Sequence, residues 1–186
     1  MAHIRLMPVL SLSLMDNSRV GMTQGDVIVM LTELDNLFKQ VFAHPSVKDK
    51  HTYGLVLTKT NPADVKPEDM IVYFVRDNNA SLGEKEGGNH HRDHAGTCTN
   101  TPAGTIAEVY LYQNFPPQKL AKIAFHELMH YKIDVGQGKD TIIHEKGGGG
   151  IASANNVNAG TPLTAGNIAI MAKNIANKTK PYTKYL

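Results

Sequence analysis

The stretch Phe125-His126-Glu127-Leu128-Met129-His130 reads H-E-x-x-H, and it constrains this chain more than any other segment. Residues four apart share one face of an α-helix. His126 and His130 can therefore aim both imidazoles at one metal ion, while Glu127, a third of a turn round, reaches a water on that ion. With nine histidines in the chain, such a spacing arises by chance on the order of once in a hundred sequences, so the flanking residues must decide. They favour a helix. Asn114 is a good N-cap, Pro116-Pro117 suit a first turn where a missing N–H costs nothing, and Gly136 is a natural stop, which predicts a helix over 115–135. Leu120, Ala121, Ile123, Ala124, Phe125, Leu128, Met129 and Ile133 leave few exposed directions around it. Lys119 and Lys122 fall on the side of His126 and His130, so the expectation is a buried helix with one polar face opening from the surface into a cleft.

Around this helix the sequence predicts a mixed α+β domain. Ile4 to Leu14 alternates beyond Pro8, the period of a half-buried strand. Thr23 and Asp26 stand at capping-box spacing before Val27, Met30, Leu31, Leu34, Leu37, Phe38, Val41 and Phe42, which predicts a long amphipathic helix ending near His44-Pro45. Tyr53, Leu55 and Leu57 suggest a short strand. Met70 to Val75 is β-branched and aromatic enough to be a buried central strand, and Thr105 to Tyr112 reads as another. From Asp77 to Thr101 the polar composition predicts a long surface loop. Thr164 caps a last helix with Ile168, Met171, Ala172 and Ile175 on one stripe, read as packing.

Bulk properties narrow the function. A chain of 186 residues suits a single domain spanning 1–186, large enough for a core without staples. The one cysteine, Cys98, excludes an internal disulfide framework. A net charge of +2 with dispersed Lys and Arg gives no stripe for nucleic acid, so no nucleic-acid partner is expected. No apolar run nears the roughly 20 residues that span a bilayer, and no membrane role is expected. The N-terminal stretch resembles a signal peptide only faintly, because Pro8 and the serines interrupt it and no A-x-A site follows. The expected location is the cytoplasm, or outside the cell by a signal-independent route.

A catalytic zinc site needs a third protein ligand. His144 returns after the break at Gly136 and Gly138 with the right donor type and is the favoured third ligand. Asp134, Asp140, Glu145 and the loop histidines His90, His91 and His94 remain alternatives. Asp134 suits a supporting partner for His130 better than a ligand, since about 1.5 Å of rise per residue carries it some 12 Å along the axis from His126. The His90–Cys98 stretch could hold a second metal or be a solvated polar loop. Four glycines, Gly147 to Gly150, form either a flexible loop or a tight backbone passage beside the site. Tyr110, Tyr112, Tyr131, Tyr182 and Tyr185 all qualify by type to stabilise an oxyanion.

A β-rich N-terminal part, a strand ending at Tyr112 and a buried helix bearing His126-Glu127-x-x-His130 resemble the zincin metallopeptidases. The metzincin continuation is absent, since Ile133 and Gly136 stand where it needs Gly and His. The resemblance implies a zincin-like fold: a small mixed sheet packed on a long N-terminal helix and a buried active-site helix, with a C-terminal helix. It implies zinc held by His126 and His130, Glu127 as general base, and a peptide or protein substrate pairing with the 105–112 strand as an edge. Zinc lowers the pKa of its water to about 7 and polarises a carbonyl, and a neighbouring carboxylate moves the proton to the leaving amine. The compact size is similar to small bacterial metallopeptidases, including those delivered as toxins into rival cells. The competing expectation is an interaction module in which zinc is structural and every ligand position is filled by protein.

Overall fold

The computed structural model describes residues 3–8, 22–57, 69–75, 95–101, 104–111, 114–130, 144, 148–153 and 157–176. These residues form a mixed α+β arrangement in which helices pack on one five-stranded sheet. The strands are β1 (His3–Pro8), β2 (Leu55–Leu57), β3 (Asp69–Val75), β4 (Gly96–Thr101) and β5 (Gly104–Tyr110), in the order β2-β1-β3-β5-β4. β1 pairs in parallel with β2 and β3, β3 pairs in parallel with β5, and β4 runs antiparallel to β5. Met70 to Phe74 are all buried, as a near-continuous apolar run predicts for a parallel strand covered on both faces. Among the described residues no helix is long and apolar enough to cross a membrane.

Helix α1 (Gln24–Phe42) starts where its sequence says it should. The Thr23 hydroxyl accepts from the Asp26 N–H (3.1 Å) and the Asp26 carboxylate accepts from the Thr23 N–H (2.8 Å), satisfying two donors that a helix start leaves open. Its stripe of Met30, Leu34, Leu37, Phe38 and Val41 is buried. Helix α2 (Pro117–Met129) carries the H-E-x-x-H motif and meets α1 where Phe38 and Phe125 pack with ring centroids 5.2 Å apart. A short 3₁₀ turn (Gly150–Ala152) precedes helix α3 (Ala165–Ala176), whose Met171, Ala172 and Ile175 join the core with Ile151. Thr164 caps α3, its hydroxyl accepting from the Asn167 N–H (3.2 Å).

Three expectations change. α2 stops at Met129 with His130 as its C-cap, six residues short of the predicted Val135; the His130 N–H bonds to the Glu127 carbonyl (3.2 Å), the tightening common in a last turn. The 77–101 segment closes in a strand, because Gly96-Thr-Cys-Thr-Asn-Thr101 is β-competent and pairs residue for residue with β5. Consequently the 105–112 strand is not an edge. β3 occupies one side of β5, and the link from Thr101 to Gly104 is so short that β4 must fold back along the other. Among the described residues, the edge strand beside the motif helix is β4.

Candidate metal centre

His126 and His130 project from the C-terminal end of α2, and His144 meets them from outside the helix. The ring centroids are 5.4 Å apart for His126 and His130, 5.2 Å for His126 and His144, and 5.5 Å for His130 and His144. One nitrogen from each ring lies within 4.8 Å of the others. Tetrahedral zinc at about 2.0–2.1 Å from each donor holds them about 3.3 Å apart, a spacing within the 4.8 Å bound the three nitrogens already meet. His126 and His130 are buried and His144 is partly exposed. Among the described residues no fourth His, Cys, Asp or Glu joins the group.

Two of the rings are tied back in the way ligands need. The His126 Nδ1–H donates to the Ile151 carbonyl (2.6 Å), and the His144 Nδ1–H donates to the Ala152 carbonyl (2.8 Å). A carbonyl only accepts, so in each neutral ring Nδ1 carries the proton and the Nε2 lone pair faces the shared space. Consecutive carbonyls of one 3₁₀ turn thus set the tautomer and direction of two of the three rings.

Within the glycine run, Gly150 is the tight backbone passage, while Gly148 and Gly149 are exposed. Gly148, Gly149 and Gly150 all adopt positive φ, at 69°, 72° and 61°, where other residues are strained. Gly150 also lies against the Pro162 carbonyl, Thr164 and Asn167 with no room for a Cβ. The Ile151 N–H bonds to the Pro162 carbonyl (3.2 Å) and to Asn167 Oδ1 (3.0 Å), and Asn167 Nδ2 donates to the Gly149 carbonyl (2.9 Å). At the C-terminal end of α2, Asn174 Nδ2 donates to the Met129 carbonyl (2.9 Å). Sequence reasoning took α3 for packing alone and missed both asparagines. The available signal was their spacing of seven, which places two amides on one helix face.

Lys119 and Lys122 do not line an open cleft. Lys122 Nζ is buried and donates to the carbonyls of Ala159 (2.6 Å) and Thr161 (2.7 Å), pinning the segment before α3 onto α2. Lys119 lies over the Phe115 ring, 3.4 Å from its centroid, and burial pushes its ammonium below the usual lysine range. Long stems let both lysines cover apolar surface, which the helical-face argument could not distinguish from a wet cleft.

Glu127 is buried one residue along from His126, on the side of the edge strand. Gly96, the first residue of β4, sits so close that a Cβ there would stand 2.6 Å from the Glu108 carbonyl, 2.9 Å from Glu127 Cγ and 3.0 Å from Glu127 Oε1. Only glycine lets the edge strand and this carboxylate share the space.

Of the other sequence candidates, Cys98 lies on β4 opposite Ala107 and is not part of the histidine group. Tyr110 follows the core residue Val109 on β5, and strand alternation turns it to the sheet face away from α2, which removes it as an oxyanion donor to this site. His90, His91, His94, Asp134, Asp140, Glu145, Tyr112, Tyr131, Tyr182 and Tyr185 lie outside the described residues. Comparison with models of protein families, with curated proteins and with solved structures finds no match to the chain. The residues themselves fit a divalent cation of intermediate softness: three imidazoles, two with the correct nitrogen freed by a backbone bond, beside one carboxylate.

Proposed function

We propose that this chain is a zinc-dependent peptidase with a zincin-like fold, in which His126, His130 and His144 hold the metal and Glu127 is the general base. The observation carrying the reading is the convergence of the three imidazoles next to Glu127, with two Nδ1 protons already committed to carbonyls. Zinc bound there supplies a Lewis acid that acidifies water to a pKa of about 7 and polarises an amide carbonyl. Glu127 accepts the proton from the attacking water on its carboxylate and passes it to the departing amine nitrogen.

The substrate would lie along β4, not along the 105–112 strand. β4 has one side taken by β5 and is last in the sheet order, and its Gly96 end adjoins Glu127. An extended peptide added there would form main-chain bonds with the strand while its backbone passed the carboxylate and the histidines.

The test compares wild type and Glu127→Gln for bound zinc and for cleavage of an unstructured protein such as casein, with products read by mass spectrometry. The expected result is stoichiometric zinc in both proteins and a loss of about 10²–10⁴-fold in turnover for the variant. Undiminished cleavage by Glu127→Gln removes that residue from the mechanism. A wild type that holds zinc through four protein donors by X-ray absorption, with no cleavage, moves the protein to the structural-zinc reading.

A further inference from the structure

We propose that Asn167, on α3 and outside the ligand set, is a positioning residue for the metal centre. The inference rests on the zinc-site reading above and extends it to a residue that touches none of the three histidines in the bonds described.

Asn167 is 0% exposed, and its amide is committed on both ends. Oδ1 accepts from the Ile151 N–H at 3.0 Å and from the Thr164 N–H at 3.3 Å, while Nδ2 donates to the Gly149 carbonyl at 2.9 Å. Backbone N–H groups only donate and carbonyls only accept, so these partners fix which way the amide points. The side chain therefore grips the 149–151 turn from both sides. The turn it grips carries, one peptide further on, the carbonyls that meet the rings: the Ile151 carbonyl receives His126 Nδ1–H at 2.6 Å, and the next carbonyl, of Ala152, receives His144 Nδ1–H at 2.8 Å.

The residue type follows from these demands. A helix cap at this position needs only an acceptor, which Asp or Glu would supply. An ionised carboxylate at zero exposure would be costly and would face the Gly149 carbonyl with a like partial charge, whereas the amide is neutral and provides the missing donor. Asn167 thus joins three tasks: it closes the α3 cap, satisfies a turn built from left-handed glycines, and holds the two carbonyls that aim His126 and His144.

The experiment uses the full chain with zinc as the probe. Zinc dissociation constants are measured by chelator competition for wild type, Asn167→Ala and Ile175→Ala, together with thermal unfolding of the metal-free proteins. NMR on ¹⁵N-histidine protein follows solvent exchange of the His126 Nδ1–H without metal. Ile175→Ala removes buried apolar contact from the same helix and makes no bond to the turn. The expected result is about tenfold weaker zinc binding in Asn167→Ala, the scale of lost outer partners, with faster exchange of the His126 proton. Ile175→Ala is expected to lose thermal stability with zinc affinity and the His126 signal kept. Should the alanine variant not fold, Asn167→Asp keeps both acceptor bonds and loses the donor, and a weakening in the same direction is expected. Wild-type zinc affinity and an unchanged His126 proton in whichever Asn167 variant folds overturn this proposal alone. A wild type that binds no zinc overturns it together with the metal-site reading.

Discussion

Helices α1 and α3 begin with the same local device and differ in what surrounds it. In α1 the cap pair is Thr23 and Asp26, on the surface, and the carboxylate closes the cap and nothing more. In α3 the pair is Thr164 and Asn167, the second member is fully buried, and its amide reaches past the helix to the turn beneath the histidines. Beyond the caps the contrast is one of degree. α1 braces α2 through an apolar stripe and the Glu33–Lys122 ion pair (3.6 Å). Besides burying Met171, Ala172 and Ile175, α3 and the segment before it add bonds from Asn174 to the Met129 carbonyl, from Lys122 to the Thr161 carbonyl, and from Asn167 to the turn that meets His126 and His144. Apolar burial is non-directional and sets stability; hydrogen bonds to chosen carbonyls set angles. The motif helix is supported by buried area on both flanks, with most of the directed bonds coming from the α3 side.

The sharpest way to break this contrast is Phe38→Ala. The ring is fully buried against Phe125, and its loss is expected to cost about 3–5 kcal/mol of unfolding free energy. Zinc affinity of the folded variant should stay at the wild-type value. Denaturant melts and chelator competition on the same samples check both halves, and a joint loss would show that α1 also sets ligand geometry. Gly96→Ala should behave the opposite way. The added methyl meets the Glu108 carbonyl and Glu127 Cγ, so about 1–3 kcal/mol of overpacking is expected, with turnover falling further than zinc affinity because Glu127 is the group displaced. Steady-state cleavage beside metal titration separates the two.

The smallest effect concerns the caps themselves. Hydrogen bonds from the Thr23 backbone and side chain hold the Asp26 carboxyl below the usual carboxylate range. A carboxylate whose folded pKa is depressed stabilises the fold above its unfolded value and loses that contribution as pH falls through the folded one. Asp26→Asn should therefore lower the melting temperature slightly at neutral pH and match wild type once the Asp26 carboxyl is protonated in both the folded and unfolded states. Asn167, already neutral, should impose no such pH dependence on the α3 cap.

Much of the scaffold was legible because it is written locally. Thr23 and Asp26 mark the start of α1, Met70 to Phe74 announce a covered strand, and Thr164 marks α3. His126, Glu127 and His130 are equally legible, since four-residue spacing on a helix is a property of the sequence itself. The strand order was not, because which side of β5 receives a partner depends on β3 having taken the other. Neither was the fate of Lys122, whose charge is satisfied by carbonyls 37 and 39 residues away. His144 could be nominated by donor type, but its approach to the pair depends on a turn of glycines whose conformation no pattern specifies.

His144 comes fourteen residues after His130, and the carbonyl that orients it is secured only once α3 has docked. During synthesis a ribosome-bound chain displays the helical histidine pair well before the third imidazole can be aimed. On the zinc reading proposed above, such a half-built site would grip a cation weakly, because metal affinity grows with the folded geometry that the ligands share. If zinc binds as proposed, its capture would follow the docking of α3 and would report that this helix has reached its place.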